Sequence, residues 1–240
     1  MMTGRTMMTF DEKPLAKEDF KRIYTKANEV LVVSEVIDTF PFSVTSFVRE
    51  MSDVSLCSYS KAGKKFGIPE NYFKSEDAEI MEMAGMYVIF YKDIDFVPRK
   101  RFSIIHEYSH YLLGHKLNLD KDDPLYQKQE IEANCCAAQI LMPEQIIREC
   151  QKRQYVISQE YIIDSFGVSG PAADKRRGTL AKVTYEWKSR EEKEYDDIIR
   201  LKYSGFINSI APKKSFTYDI EEELESQRRR DSWHAEYGRR

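Results

Sequence analysis

The chain has 240 residues, 42% of them apolar, and a formal net charge of −3 with acidic and basic residues intermixed. That is enough apolar material for a true core, and the charge gives no global field that would recruit nucleic acid or anionic membrane. No run approaches the ~18–20 apolar residues of a membrane span, the opening MMTGRTMMTFDEKP lacks a signal peptide's apolar stretch, and Cys57, Cys135, Cys136 and Cys150 form no C-x-x-C pair; a cytoplasmic protein with reduced, mostly buried thiols is expected.

Residues 1–12 are polar and Met-rich and are expected to be flexible. PLAKEDFKRIYTKANEV then reads as a helix, with Pro14 near its start, and a second helix is expected over Val44 to Met51. Gly63, Gly67 and Pro69 mark loops, whereas MYVIFY, Met86 to Tyr91, is β-branched and aromatic and reads as a strand. After Pro98, RKRFSIIHEYSHYLLGH reads as a helix whose Phe102, Ile105, Leu112 and Leu113 share one arc. KLNLDKDDPLYQKQ, with Pro124, reads as a charged loop, and EIEANCCAAQILM as a long helix that Pro143 ends or bends. From Ile146 to Val183 the pattern is helical with a break at GVSGP; the rest is densely charged and reads, at its end, as a solvated helix or a disordered tail.

Three of the four histidines fall between His106 and His115. His106 and His110 stand four residues apart, about 40° around a helix, so both imidazoles project to one side and can grip one ion. With Glu107 they form H-E-x-x-H, in which two histidines bind zinc and the glutamate takes a proton from the water that the metal acidifies. Ser103 and Gly114 are small residues on the histidine side, leaving room for an ion, a water and substrate. A strand edge beside the metal suits an extended peptide, and Met86 to Tyr91 is the candidate strand.

Catalytic zinc usually takes a third protein ligand. Glu130 is the candidate: it follows a reversal that brings the next helix back, and Ala133 and Ala137 on its face permit close approach. Asn134, on the same face, can accept a hydrogen bond from the outer nitrogen of His106 or His110. Glu132 is the competing ligand but points away from that face. A third histidine in H-E-x-x-H-x-x-G-x-x-H is excluded by Leu113 and Lys116. His115 lies opposite His110 unless the helix ends at Gly114, in which case it can turn back as a helix cap or an outer partner of the site. Tyr87, Tyr91, Tyr108, Tyr111 and Tyr126 all remain open as oxyanion donors. Arg101 reads as a solvated residue or as the partner of an acidic group at the site's edge. FGVSGPAADKRRGTL has the rhythm of a DNA reader with Lys175, Arg176 and Arg177 clustered, but one short basic cluster gives few phosphate contacts, so a small subdomain closing the cleft is favoured over direct nucleic-acid binding.

RFSIIHEYSHYLLGH, EIEANCCAAQILMP and FGVSGPAADKRRGTL together resemble the ImmA/IrrE family of bacterial metallopeptidases, from about Asn71 to Leu180. The resemblance implies zinc held by His106, His110 and Glu130, with Glu107 as base, in a thermolysin-like arrangement. It implies an α+β fold: a minimal zincin-like metallopeptidase domain (13–145) with a small sheet, an active-site helix and a third-ligand helix, then a helical C-terminal subdomain closing the cleft (146–185); outside the resemblance, 186–240 reads from its charge as a partly disordered extension. The implied activity is that of a zinc endopeptidase that cuts a cognate helix-turn-helix repressor and relieves repression of a mobile element or stress regulon. The alternative is a non-catalytic metal-binding regulator of a repressor or of DNA. Cys136 stands where the family more often has phenylalanine, and residues from Glu186 onward match nothing in the pattern.

Overall fold

The computed structural model describes residues 15–50, 53–182, 188–213, 224–225 and 227–229. The expected flexible stretch 1–12, most of the final charged segment and Met51 lie outside them. Helix α1 (Lys17–Val33) buries the stripe Ile23, Ala27, Val30 and Leu31, and α2 (Val44–Glu50) buries Val44, Phe47 and Val48. Strand β1 (Val54–Ser58) leads into α3 (Tyr59–Phe66). Strands β2 (Ala78–Met83) and β3 (Met86–Tyr91) then form a hairpin over Ala84 and Gly85, both at positive φ, as a two-residue turn with the right twist requires.

The strand order is β1-β3-β2, with β1 parallel and β2 antiparallel to β3. MYVIFY is apolar throughout because both faces of β3 are covered. Ile89 joins Ile80 in the main core, while Val88 and Phe90 pack with Tyr59 and Ala62 of α3 on the other face. Being central, β3 is bonded along both sides and cannot offer the peptide-binding edge expected of it. The edge beside the histidines belongs to β2, whose Ile80 N–H reaches the H-E-x-x-H helix.

That helix is α4 (Val97–Leu112), with Pro98 in its first turn and Ile104, Ile105 and Tyr108 in the core. Pro124, expected inside a loop, is the first residue of α5 (Pro124–Leu141). Asp123 accepts the Leu125 N–H at 2.8 Å as N-cap, and proline costs nothing where the backbone N–H has no helical partner anyway. Helices α4 and α5 pack together, with Ala133 and Ala137 of α5 fully buried.

Helices α6 (Glu144–Lys152), α7 (Gln159–Phe166), α8 (Gly170–Lys182), α9 (Arg190–Lys202) and α10 (Ser204–Ile210) follow. One cluster of buried apolar side chains runs from Ile23 through Ile105, Ile140, Ile147 and Phe166 to Ile199 and Ile207. The described helices within the segments expected as a helical subdomain (146–185) and a charged extension (186–240) share the main core, as far as Ala211.

Charge density in these segments has a structural use: basic side chains cap the C-terminal ends of helices, where carbonyls lack helical partners and the helix dipole is negative. Lys202 Nζ donates to Leu31 O and Ser34 O at the end of α1 (2.7 and 2.6 Å), and Arg176 Nε to Met142 O after α5 (3.0 Å). Arg101 Nη1 donates to Phe166 O and Gly167 O after α7 (3.1 and 2.8 Å), and Arg153 Nη1 to Ala211 O after α10 (2.8 Å). Arg101 is thus neither solvated nor at the site's edge; burial pushes its guanidinium down to about 10. Arg176 is buried, so the basic cluster of the DNA-reader-like motif is reduced to Lys175 and Arg177 on the surface.

Candidate metal centre

Helix α4 presents His106 and His110 one turn apart, and α5 returns with Glu130 facing them. The two Nε2 atoms are 3.1 Å apart, and each lies 3.4 Å from one oxygen of the Glu130 carboxylate. Tetrahedral metal–ligand bonds of ~2.0–2.1 Å place ligand atoms roughly 3.3–3.4 Å from one another, so this spacing fits a single ion of zinc's size. Among the described residues, His106, His110 and Glu130 are the group whose ligand atoms converge in this way.

The outer nitrogens say what belongs between the inner ones. His106 Nδ1 lies 3.2 Å from Asn134 Oδ1, which only accepts, so His106 carries its proton on Nδ1 and turns a lone pair inward. Asn134 thus meets His106 on the side of the ring away from His110 and Glu130. His115 has one too, because α4 ends as required: Gly114 takes φ 66°, its N–H donates to Tyr111 O, and the His115 N–H donates to His110 O, both at 3.0 Å. The turned-back ring sets His115 Nδ1 3.0 Å from His110 Nδ1 and His115 Nε2 3.0 Å from Glu132 Oε2. Gly114 serves this backbone turn and is not among the residues that line the cleft, whereas Ser103 is.

Glu132 is buried behind His115, not at the ligand position, and Arg22 Nη2 of α1 donates to it at 2.5 Å. Nothing in the sequence pattern signals Arg22, which is 110 residues away along the chain. Burial pushes His115 down to about 4, with His110 adding to the effect, so it is a neutral imidazole near pH 7 even beside Glu132.

Glu107 Oε2 accepts the Ile80 N–H at 2.9 Å, which ties the residue to the inner edge of the cleft. Burial pushes its carboxyl up to about 7, and Glu130 adds to this against His106 and the Ile80 N–H. Burial also raises Glu130, but the nearness of the His106 and His110 rings outweighs that and holds it far below the usual carboxylate range. Two carboxylates that line one cleft are thereby driven in opposite directions.

The cleft above these groups has a volume of about 680 Å³. The segment 74–80, ending in β2, forms one wall and the loop 116–121 the other. Of the five candidate tyrosines, Tyr126 alone lines it. Tyr108 is in the core, Tyr111 donates to Asp53, and the Tyr87 ring packs on that of Tyr111. Burial, with Glu130 next, pushes the Tyr126 phenol up to about 12. Among the described residues none from 146–182 lines the cleft, and those helices share the main core.

No helix among the described residues is long and apolar enough to cross a membrane. Residues 62–177 match the family model Peptidase_M78, described as the IrrE N-terminal-like domain, a span that holds His106, Glu107, His110, Glu130 and Asn134. No curated protein matches the chain.

Proposed function

The chain belongs to the ImmA/IrrE family of peptidases, and on that premise we propose that it is a zinc-dependent endopeptidase with a cytoplasmic protein substrate, a cognate helix-turn-helix repressor whose cleavage relieves repression. One observation carries the zinc reading: the inner lone pairs of His106 and His110 and the Glu130 carboxylate face one point at mutual distances of 3.1–3.4 Å. Three acceptors so placed repel unless a cation joins them. The donor set, two imidazoles and a carboxylate, is that of a catalytic zinc site with a position left open.

When bound, zinc would polarise the scissile carbonyl and acidify a water at that open position. Glu107, held by the Ile80 N–H, takes the proton and hands it to the leaving amine. Tyr126, one turn before Glu130 and lining the same cleft, is the O–H placed to steady the developing charge on the carbonyl oxygen. The free edge of β2 would align an extended substrate by main-chain hydrogen bonds. The repressor assignment rests on the family resemblance alone.

Glu107→Gln tests the chemistry. The variant should keep its zinc and lose roughly two to four orders of magnitude in cleavage of a helix-turn-helix repressor encoded beside it. Full activity in that variant, or cleavage that survives chelation in the parent, would end the proposal.

A further inference from the structure

We infer that Arg22 and Glu132 are positioning residues for the metal centre: acting through His115, they fix which nitrogen of His110 is turned toward the ion. The inference rests on the zinc reading above and extends it to α1, which lies outside the residues that match the peptidase family.

Four groups stand in line behind His110. Its Nδ1 is 3.0 Å from His115 Nδ1, His115 Nε2 is 3.0 Å from Glu132 Oε2, and the same oxygen is 2.5 Å from Arg22 Nη2. The direction of every hydrogen bond follows from the far end. A guanidinium only donates and a carboxylate oxygen beside it accepts, so His115 must offer its N–H from Nε2. His115 Nδ1 is then a lone pair and accepts from His110 Nδ1–H, which leaves His110 Nε2 with the lone pair that a metal needs. The opposite order would set a ring lone pair against the Glu132 carboxylate and turn the His110 proton into the ligand position.

Burial makes this chain of contacts decisive. The side chains of His115 and Glu132 are each only 4% exposed, so bulk water is not at hand to replace a missing partner. His106 needs no such device, because the amide oxygen of Asn134 fixes it directly. Two features of the fold build the line: the left-handed turn at Gly114 returns the His115 ring, and the packing of α1 on α5 brings Arg22 over Glu132. Lys128, one turn before Glu132, faces its other oxygen at 3.6 Å, beyond hydrogen-bond reach.

The test uses the full chain and two readouts besides activity. Zinc dissociation constants are measured by competition with a chelating dye, and the tautomer of His110 is read from ¹⁵N–¹H spectra of the metal-free protein at pH 8. Arg22→Met and Glu132→Ala should each weaken zinc binding by about 10- to 100-fold, the usual cost of losing an outer partner of a ligand, and shift His110 away from the Nδ1–H form. Arg22→Lys should restore most of both. Arg22 is 43% exposed, so its replacement disturbs less packing than Glu132→Ala, and far-UV circular dichroism of each variant checks that the fold is retained. An unchanged His110 tautomer in these variants, or zinc affinities within twofold of the parent, overturns the inference. A parent that binds no zinc would instead sink the peptidase reading, while the tautomer still decides the role of Arg22.

Discussion

Helix α5 borders two buried polar clusters, the metal centre around Glu130 and a second group around Gln139, and they follow opposite rules. In the second, donors meet acceptors throughout. Gln139 Nε2 donates to Asn28 and Gln145, Gln145 Nε2 to Asp196, and Lys188 to Glu144 and Asp196, while Arg176 donates to Gln139 Oε1 and the Tyr24 hydroxyl. That network ties α1, α5, α6, α8 and α9 together. Around Glu130, acceptors face acceptors, and only their outer sides are satisfied. Burial of polar groups marks organisation in both; convergence of like-signed atoms marks the site in one.

If that contrast is right, damage to the two clusters should separate cleanly. His110→Ala should weaken zinc binding by more than the ~100-fold that loss of an outer partner costs, and hardly change the metal-free unfolding free energy in urea. Arg176→Ala should do the reverse. Leaving Met142 O and the Tyr24 hydroxyl without this donor, and Gln139 Oε1 with the Glu144 N–H alone, costs about 3–5 kcal/mol in urea unfolding, with zinc affinity within twofold of the parent. Gly114→Ala falls between the clusters in kind and below them in size: the left-handed backbone costs about 1–2 kcal/mol, and His115 shifts enough to lower zinc affinity measurably. Tyr203→Phe, whose hydroxyl donates to Leu31 O and Ile37 O, should lose only about 1 kcal/mol and leave zinc binding untouched. A zinc effect from Arg176→Ala or Tyr203→Phe would mean that the two clusters are not independent.

The convergence of His106, His110 and Glu130 was legible because its signals are local or nearly so. His106, Glu107 and His110 share two helical turns, and Glu130 and Asn134 share one face of the next helix. His115 was legible only as a conditional, since its direction depends on whether α4 stops at Gly114. Strand β2 was not legible: AEIMEM carries two glutamates and a half-exposed face, and its place is set by a hairpin partner and by Glu107. The charged helices misled for a related reason. Arg101, Arg176 and Lys202 look like solvated residues in sequence, whereas each ends a helix that lies far away along the chain. Arg22 belongs to the same class, because its partner exists only after α1 has docked on α5.

The central claim is answered most directly by anomalous diffraction at the zinc edge from crystals of the zinc-loaded chain. The expected result is one peak at ~2.0–2.2 Å from His106 Nε2, His110 Nε2 and a Glu130 oxygen, with Glu107 near it but not bonded. No peak there, or an ion held by His115 and Glu132 instead, would contradict it.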